Sequence, residues 1–138
     1  MSPPFVSIVT PTFNRDKFLQ LMICNIMTQH YPKHKMEWVM LDSYGVNGEE
    51  CKPMLSEMDV IEMRRNLAPI KFVYRFDKKA MSIGEKRNKL VKMSEYNTII
   101  NMDSDDIYLS LYIQNIVKGL SEPNITIAGS PEMAFIYP

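Results

Sequence analysis

Asp103, Asp105 and Asp106 put three carboxylates within four residues, directly after the apolar run Thr98-Ile99-Ile100. An Ile-rich run of that length reads as a strand buried on both faces. Such a strand does not carry unpaired carboxylates along its length, because burying each one is costly. The acids therefore belong where a strand over Thr98–Met102 leaves the core, at its C-terminal end. In open α/β sheets that edge is where ligands bind. Adjacent acids repel one another unless positive charge sits among them. A ligand set made only of oxygen suits a hard cation, Mg²⁺ or Mn²⁺, whose coordination substrate phosphates often complete. On the cluster alone, a solvated acidic turn capping the next helix stays open. An EF-hand loop does not: counted from Asn101, the sixth position is Asp106 instead of Gly and the twelfth is Tyr112 instead of Glu.

A second group with chemical potential opens a helix. Ser82-Ile83-Gly84-Glu85 has the capping-box form, which predicts a helix to about Glu95 with Leu90 and Val91 facing inward. Lys86 and Arg87 then fall in its first turns, where the macrodipole disfavours cations. Basic residues there make sense if an anion docks nearby; a solvated charged face is the other reading.

The elements that must position these groups alternate along the chain. Phe5–Thr10 is β-branched and apolar, a central strand. Asn14 or Asp16 is expected to cap a helix over Lys17–His30, with Leu19, Met22, Ile23, Ile26 and Met27 on one stripe. Met36–Leu41 is a second strand, closed by Asp42 and the turn Ser43-Tyr44-Gly45, so the first three elements suggest a parallel βαβ unit. Gly48–Asn66 carries a weaker helical pattern, with Pro53 a candidate first position. Ile70–Phe76 alternates as a strand nearer the sheet edge, followed by a polar loop, Asp77–Ala80. After the acids, a helix is expected over Ile107–Leu120, then short strands over Ile125–Ala128 and Met133–Tyr137. The strand at Thr98–Met102 is expected inside a mostly parallel sheet with helices on both faces.

Composition narrows the class. A length of 138 residues with 46% hydrophobic content fits one domain with a sizeable core. Lys plus Arg and Asp plus Glu are 16 each, so no net field favours nucleic acid or an anionic membrane. No run approaches the ~18 apolar residues of a membrane span, and the start of the chain lacks the pattern of a signal peptide. Two cysteines, Cys24 and Cys51, have no metal-type spacing; Cys24 reads as buried helix packing. A soluble, reduced, cytoplasmic setting is the default expectation, and the host cytoplasm if the chain is viral. The twelve methionines are read as core filling.

Taken in order, Val6-Ser7-Ile8-Val9-Thr10-Pro11-Thr12-Phe13-Asn14-Arg15, Asp42, Gly84-Glu85-Lys86-Arg87-Asn88 and Asp103-Ser104-Asp105-Asp106 resemble the nucleotide-binding half of a GT-A glycosyltransferase, particularly family 2. The likeness runs from Val6 to about Leu120. It implies a Rossmann-like, three-layer α/β/α fold with a mostly parallel sheet, and metal-dependent transfer of a sugar from a nucleotide diphosphate sugar, UDP-linked by expectation, to an unknown acceptor. Carried over by position, Thr10, Pro11, Thr12 and Asn14 would hold the base and ribose, Asp42 would accept a hydrogen bond from the base, and Arg87 would reach the nucleotide. Asp103 would lie near ribose and metal, Asp105 would bridge Mn²⁺ or Mg²⁺ to the diphosphate, and Asp106 would stand behind them.

Two departures stand out. Asp42-Ser43-Tyr44-Gly45 replaces the Asp-Asp-Gly-Ser of many relatives, and no general base is identifiable, Glu132 being the only acid after Pro131. The single domain, residues 1–138, is therefore expected to be truncated relative to full-length members. Apolar surface near Met133–Tyr137 is expected to favour self-association or a partner chain. A non-catalytic nucleotide-sugar-binding module is the alternative function. A phosphatase with an Asp-x-Asp nucleophile ranks lower, since that nucleophile usually follows an early strand.

Overall fold

The computed structural model describes residues 2–129. Four strands, β1 (Val6–Thr12), β2 (Met36–Tyr44), β3 (Lys71–Ala80) and β4 (Thr98–Asn101), form one sheet in the order β3-β2-β1-β4. Every neighbouring pair is parallel. Parallel strands need crossovers, and helices α1 (Leu19–Met27), α2 (Glu57–Leu67) and α3 (Ile83–Met93) supply them, with α4 (Tyr112–Leu120) after β4.

Strand alternation sorts the core into two layers. Val6, Ile8, Met36, Trp38, Met40, Phe72 and Ile100 face Met22 and Ile26 of α1, Met63 and Leu67 of α2, and Ile113 and Ile116 of α4. Val9, Val39 and Leu41 point the other way, onto Leu90 of α3 and Met81. The three-layer α/β/α arrangement expected from the sequence is thus present. Met22, Met36, Met40, Met63, Met81 and Met102 are buried as core filling, whereas Met27 and Met58 are exposed.

Several boundaries differ from the sequence reading, each for a physical reason. Among the described residues β4 lies at the sheet edge, not inside it. It pairs only with β1, and Asn101 is exposed. Ile100 is buried, but Thr98 and Ile99 are only half covered. β2 runs on through Asp42 to Tyr44, because Thr12 and Asp42 are register partners and the parallel ladder continues past Leu41. β3 absorbs the polar stretch Asp77–Ala80, whose charges sit on a sheet edge where water reaches them.

Helix α2 begins at Glu57, after a capping box in which Ser56 and Asp59 exchange bonds, so Pro53 lies outside it. Neither Asn14 nor Asp16 caps α1: a 3₁₀ turn, Asp16–Phe18, leads into it, and Asn14 takes a left-handed backbone with φ 53°. Cys24 and Met27 are exposed on α1, since the buried stripe is narrower than the sequence pattern implied.

α4 starts five residues later than expected. Asn25 and Gln29 claim the backbone that would have formed its first turn. Asn25 donates to the Asp106 carbonyl at 2.8 Å and accepts from the Tyr108 N–H at 3.1 Å, and Gln29 donates to the Leu109 carbonyl at 2.9 Å. Residues 125–128 form no strand, and the expected strand at Met133–Tyr137 lies outside the described residues.

Candidate functional site

The chain builds outward from β1 through β2 to β3, then returns to place β4 on the other side of β1. The order therefore reverses between β1 and β4, and the carboxyl ends of strands at such a reversal form a crevice. A cleft of about 290 Å³ lies there. Pro11, Thr12, Phe13 and Arg15 line it from the end of β1, Ile83, Lys86 and Arg87 from the start of α3, and Asp103, Ser104 and Asp105 from the exit of β4.

The acidic rim is held by charge and by two tyrosines. Arg87 Nη2 donates to Asp103 Oδ1 at 2.9 Å, and its Nη1 to Asn101 Oδ1 at 3.2 Å. The pair is more than a third exposed on both sides, so it orients Arg87 more than it stabilises the fold. The Asp103 N–H donates to the Tyr108 hydroxyl at 2.7 Å, and the Tyr112 hydroxyl donates to the Asn101 carbonyl at 2.8 Å. The two rings pack with centroids 4.7 Å apart. Asp105 is exposed. Burial, then the charges of Asp105 and Asp103, raise the pKa of Asp106 above the usual carboxylate range. The acids thus feel one another, as their spacing implied.

Among the described residues no three carboxylate, imidazole or thiol groups converge into a protein cage. What is present is a set of oxygen donors, with Asp103 partly engaged by Arg87 and Asp105 facing water. That set fits a Mg²⁺- or Mn²⁺-type ion which takes most of its coordination from water and phosphate oxygens.

The opposite rim is dry. Thr10 is buried, and its hydroxyl accepts from Trp38 Nε1 at 2.9 Å, so it points into the sheet and not into the cleft. Asp42 is also buried and lies outside the cleft lining. Its Oδ2 accepts from the Tyr74 hydroxyl at 2.9 Å and the Met54 N–H at 3.0 Å. Its Oδ1 is the one buried side-chain polar atom among the described residues that has no partner. Asn14 is exposed beside the cleft without lining it. Of the residues singled out from the sequence, then, Pro11, Thr12, Arg87, Asp103 and Asp105 share one cleft, while Thr10, Asn14 and Asp42 flank it.

Lys86, read from the sequence as part of a basic helix start, and Phe13, quoted only within the first-strand motif, have structural roles that the sequence did not assign. Lys86 is 5% exposed, and its ammonium donates to the Thr12 carbonyl at 2.6 Å, pinning the loop that leaves β1. Burial lowers its pKa, a shift that Asp42 and Cys51 oppose. Phe13 lies near the Lys86 ammonium and closes against Gly45: a Cβ built on Gly45 would stand 3.1 Å from the ring. The sequence signal for Lys86 was its place in the first turns of a capped helix, but nothing there distinguished a buried lysine from a solvated one.

The sequence profile of glycosyl transferase family 2 matches residues 7–135. A poly(ribitol-phosphate) β-N-acetylglucosaminyltransferase, TarS of Staphylococcus aureus, is 25% identical over 100 residues, 72% of this chain and 16% of its own length. Among solved structures, the mannosyltransferase PcManGT from Pyrobaculum calidifontis, in complex with GDP-Man and Mn²⁺, superposes with a TM-score of 0.73 at 20% identity. That superposition covers 91% of this chain and 34% of the mannosyltransferase. Residues 1–349 of S. aureus TarS, in complex with UDP-GlcNAc, give 0.63 at 21% identity, over 83% of this chain and 30% of that one. The chain thus spans about a third of the structures it resembles and a sixth of the curated relative. These likenesses establish the Rossmann-like GT-A fold.

Proposed function

The chain belongs to glycosyl transferase family 2, and on that basis we propose that its cleft binds a nucleotide diphosphate sugar, UDP-linked, and that the domain takes part in sugar transfer to an acceptor. The observation that carries this reading is the meeting of Arg87, Asp103 and Asp105 around one cleft at the strand reversal. Cationic and anionic groups side by side at that edge suit a ligand that is itself a phosphate–cation pair. The mannosyltransferase of similar fold was solved with GDP-Man and Mn²⁺, and TarS with UDP-GlcNAc, which supports the ligand class.

In this reading Pro11, Thr12 and Asn14 border the ribose and base. Thr10 holds the end of β1 from below through Trp38, and Asp42 accepts from the base through Oδ1. Arg87 approaches the diphosphate from α3, while Asp103 and Asp105 hold Mn²⁺ or Mg²⁺. When bound, the cation offsets the diphosphate charge and so stabilises it as a leaving group. The unit 1–138 acts as one donor-binding domain in a cytoplasmic setting, and the acceptor contacts another part of the assembly or a partner chain. A donor-binding module without transfer would use the same cleft.

One experiment separates these outcomes. The chain is incubated with UDP-GlcNAc, UDP-glucose and GDP-mannose, with and without Mn²⁺, while the melting midpoint and free nucleotide diphosphate are followed. A metal-dependent rise in the midpoint with a UDP-sugar is expected. Release of UDP with it marks transfer or hydrolysis, and a rise without release marks a binding module. No shift with any donor would overturn the reading.

A further inference from the structure

The two oxygens of Asp42 are not equivalent. A carboxylate offers about four lone-pair sites, two on each oxygen. On Oδ2 both are filled, by the Tyr74 hydroxyl at 2.9 Å and the Met54 N–H at 3.0 Å. On Oδ1 both are empty although the atom is buried. Leaving a buried acceptor unmade is costly, and folded chains rarely tolerate it without a reason. The nearby cation does not relieve it: the Lys86 ammonium donates to the Thr12 carbonyl and makes no hydrogen bond to Oδ1.

Tyr74 is firmly placed to keep Oδ2 occupied. It sits on β3 beside β2, two residues before Phe76, the register partner of Asp42, and so on the same face. Its hydroxyl also accepts from the Leu55 N–H at 3.4 Å. Burial and the charge of Asp42 push its pKa upward, so it remains a donor throughout the physiological range.

We propose that Tyr74 sets base selectivity: by filling Oδ2 it leaves Asp42 a single acceptor oxygen, which matches uracil and mismatches guanine. Uracil presents one imino N–H between two carbonyls. Guanine presents N1–H and an N2 amino hydrogen side by side, and a carboxylate meets that pair with both of its oxygens. With Oδ2 taken, one guanine donor would be buried without an acceptor. The inference rests on the reading that Asp42 faces the nucleotide base, and it names which base that site accepts. Oδ1 is buried and Asp42 lies outside the cleft lining in this structure, so base recognition by Oδ1 requires a local rearrangement that exposes it. Tyr74 is a positioning residue, acting through Asp42 without touching the base.

The test is calorimetric titration of the full chain, with Mn²⁺ present, by UDP, GDP and N3-methyl-UDP, repeated on Tyr74→Phe with its fold checked by circular dichroism. The unmutated chain is expected to bind UDP at least about tenfold more tightly than GDP. It should also lose about tenfold toward N3-methyl-UDP. Tyr74→Phe should narrow the UDP:GDP ratio by about tenfold through gained GDP affinity, because freeing a lone pair on Oδ2 restores a second acceptor. An unchanged ratio in folded Tyr74→Phe, with discrimination against N3-methyl-UDP intact, overturns the inference and leaves the functional reading standing. Binding of neither nucleotide overturns both. If Tyr74→Phe does not fold, the unmutated chain decides alone, and a preference for GDP over UDP overturns the proposal.

Discussion

The two rims of the cleft are built on opposite principles. On the β1–β2 side every residue of β1 is buried, Trp38 is fully enclosed against Phe72, and side-chain hydrogen bonds run inward. On the β4 side the strand is four residues long, lies at an edge among the described residues, and gives way to carboxylates that keep contact with water. Charge explains the difference. The β1–β2 end buries a single carboxylate, Asp42, held by Tyr74 and Met54, whereas several adjacent carboxylates cannot be buried without a cation. One rim is therefore preorganised by packing, and the other is completed by what binds it.

That contrast predicts where stability and binding part company. Trp38→Ala should cost ~3–5 kcal/mol and unfold much of the chain, since it empties a dry site and orphans Thr10. Urea denaturation reads this directly, and a loss under ~1 kcal/mol would mean that the β1–β2 rim is not the rigid one. Arg87→Ala should leave stability within ~0.5 kcal/mol of the unmutated chain, because the pair with Asp103 is exposed. It should nonetheless weaken nucleotide binding about tenfold, the scale of one charged hydrogen bond. Lys92→Ala, on an exposed position farther along α3, is the control, and equal losses in the two variants would reduce Arg87 to a solvated charge.

A smaller effect, ~1 kcal/mol of stability with no change in nucleotide affinity, is expected for Ser56→Ala, which removes the cap of α2 away from the cleft. The smallest concerns acid. The hydrogen bond from Lys89, then that from the Lys79 N–H, holds the carboxyl of Asp77 below its usual range. Its contribution is therefore present above the unfolded value of about 3.9 and fades as pH falls through the lower folded value. Asp77→Asn should cost ~0.5 kcal/mol at neutral pH, and the penalty should shrink as pH falls through the lowered folded value. A penalty that persists in acid would assign the effect to packing instead of charge.

The same contrast explains what could be read from the sequence. The packed side was legible in β1 and β2 because a short apolar run is a local signal, and Ser82 caps α3 as its spacing implied. The acid cluster was placed correctly at a strand end, since the cost of burying charge needs no tertiary knowledge. That β4 lies at an edge among the described residues was not legible, because pairing partners are set by chain return and not by the strand's own residues. Nor was the late start of α4, where Asn25 and Gln29, some eighty residues away, take the backbone groups of the first turn. The burial of Lys86 and the split roles of the Asp42 oxygens likewise depend on Thr12, Tyr74 and Met54, which only the fold brings together.

The most direct test of the account is calorimetric titration of the chain and of Asp105→Ala with UDP, each with and without Mn²⁺. The account predicts that Mn²⁺ tightens UDP binding by the unmutated chain at least about tenfold, a coupling of ~1.4 kcal/mol. In Asp105→Ala that coupling should vanish while the metal-free affinity and the stability stay near those of the unmutated chain. Equal metal-dependent affinity in the two proteins, or no affinity for UDP in either, would contradict it.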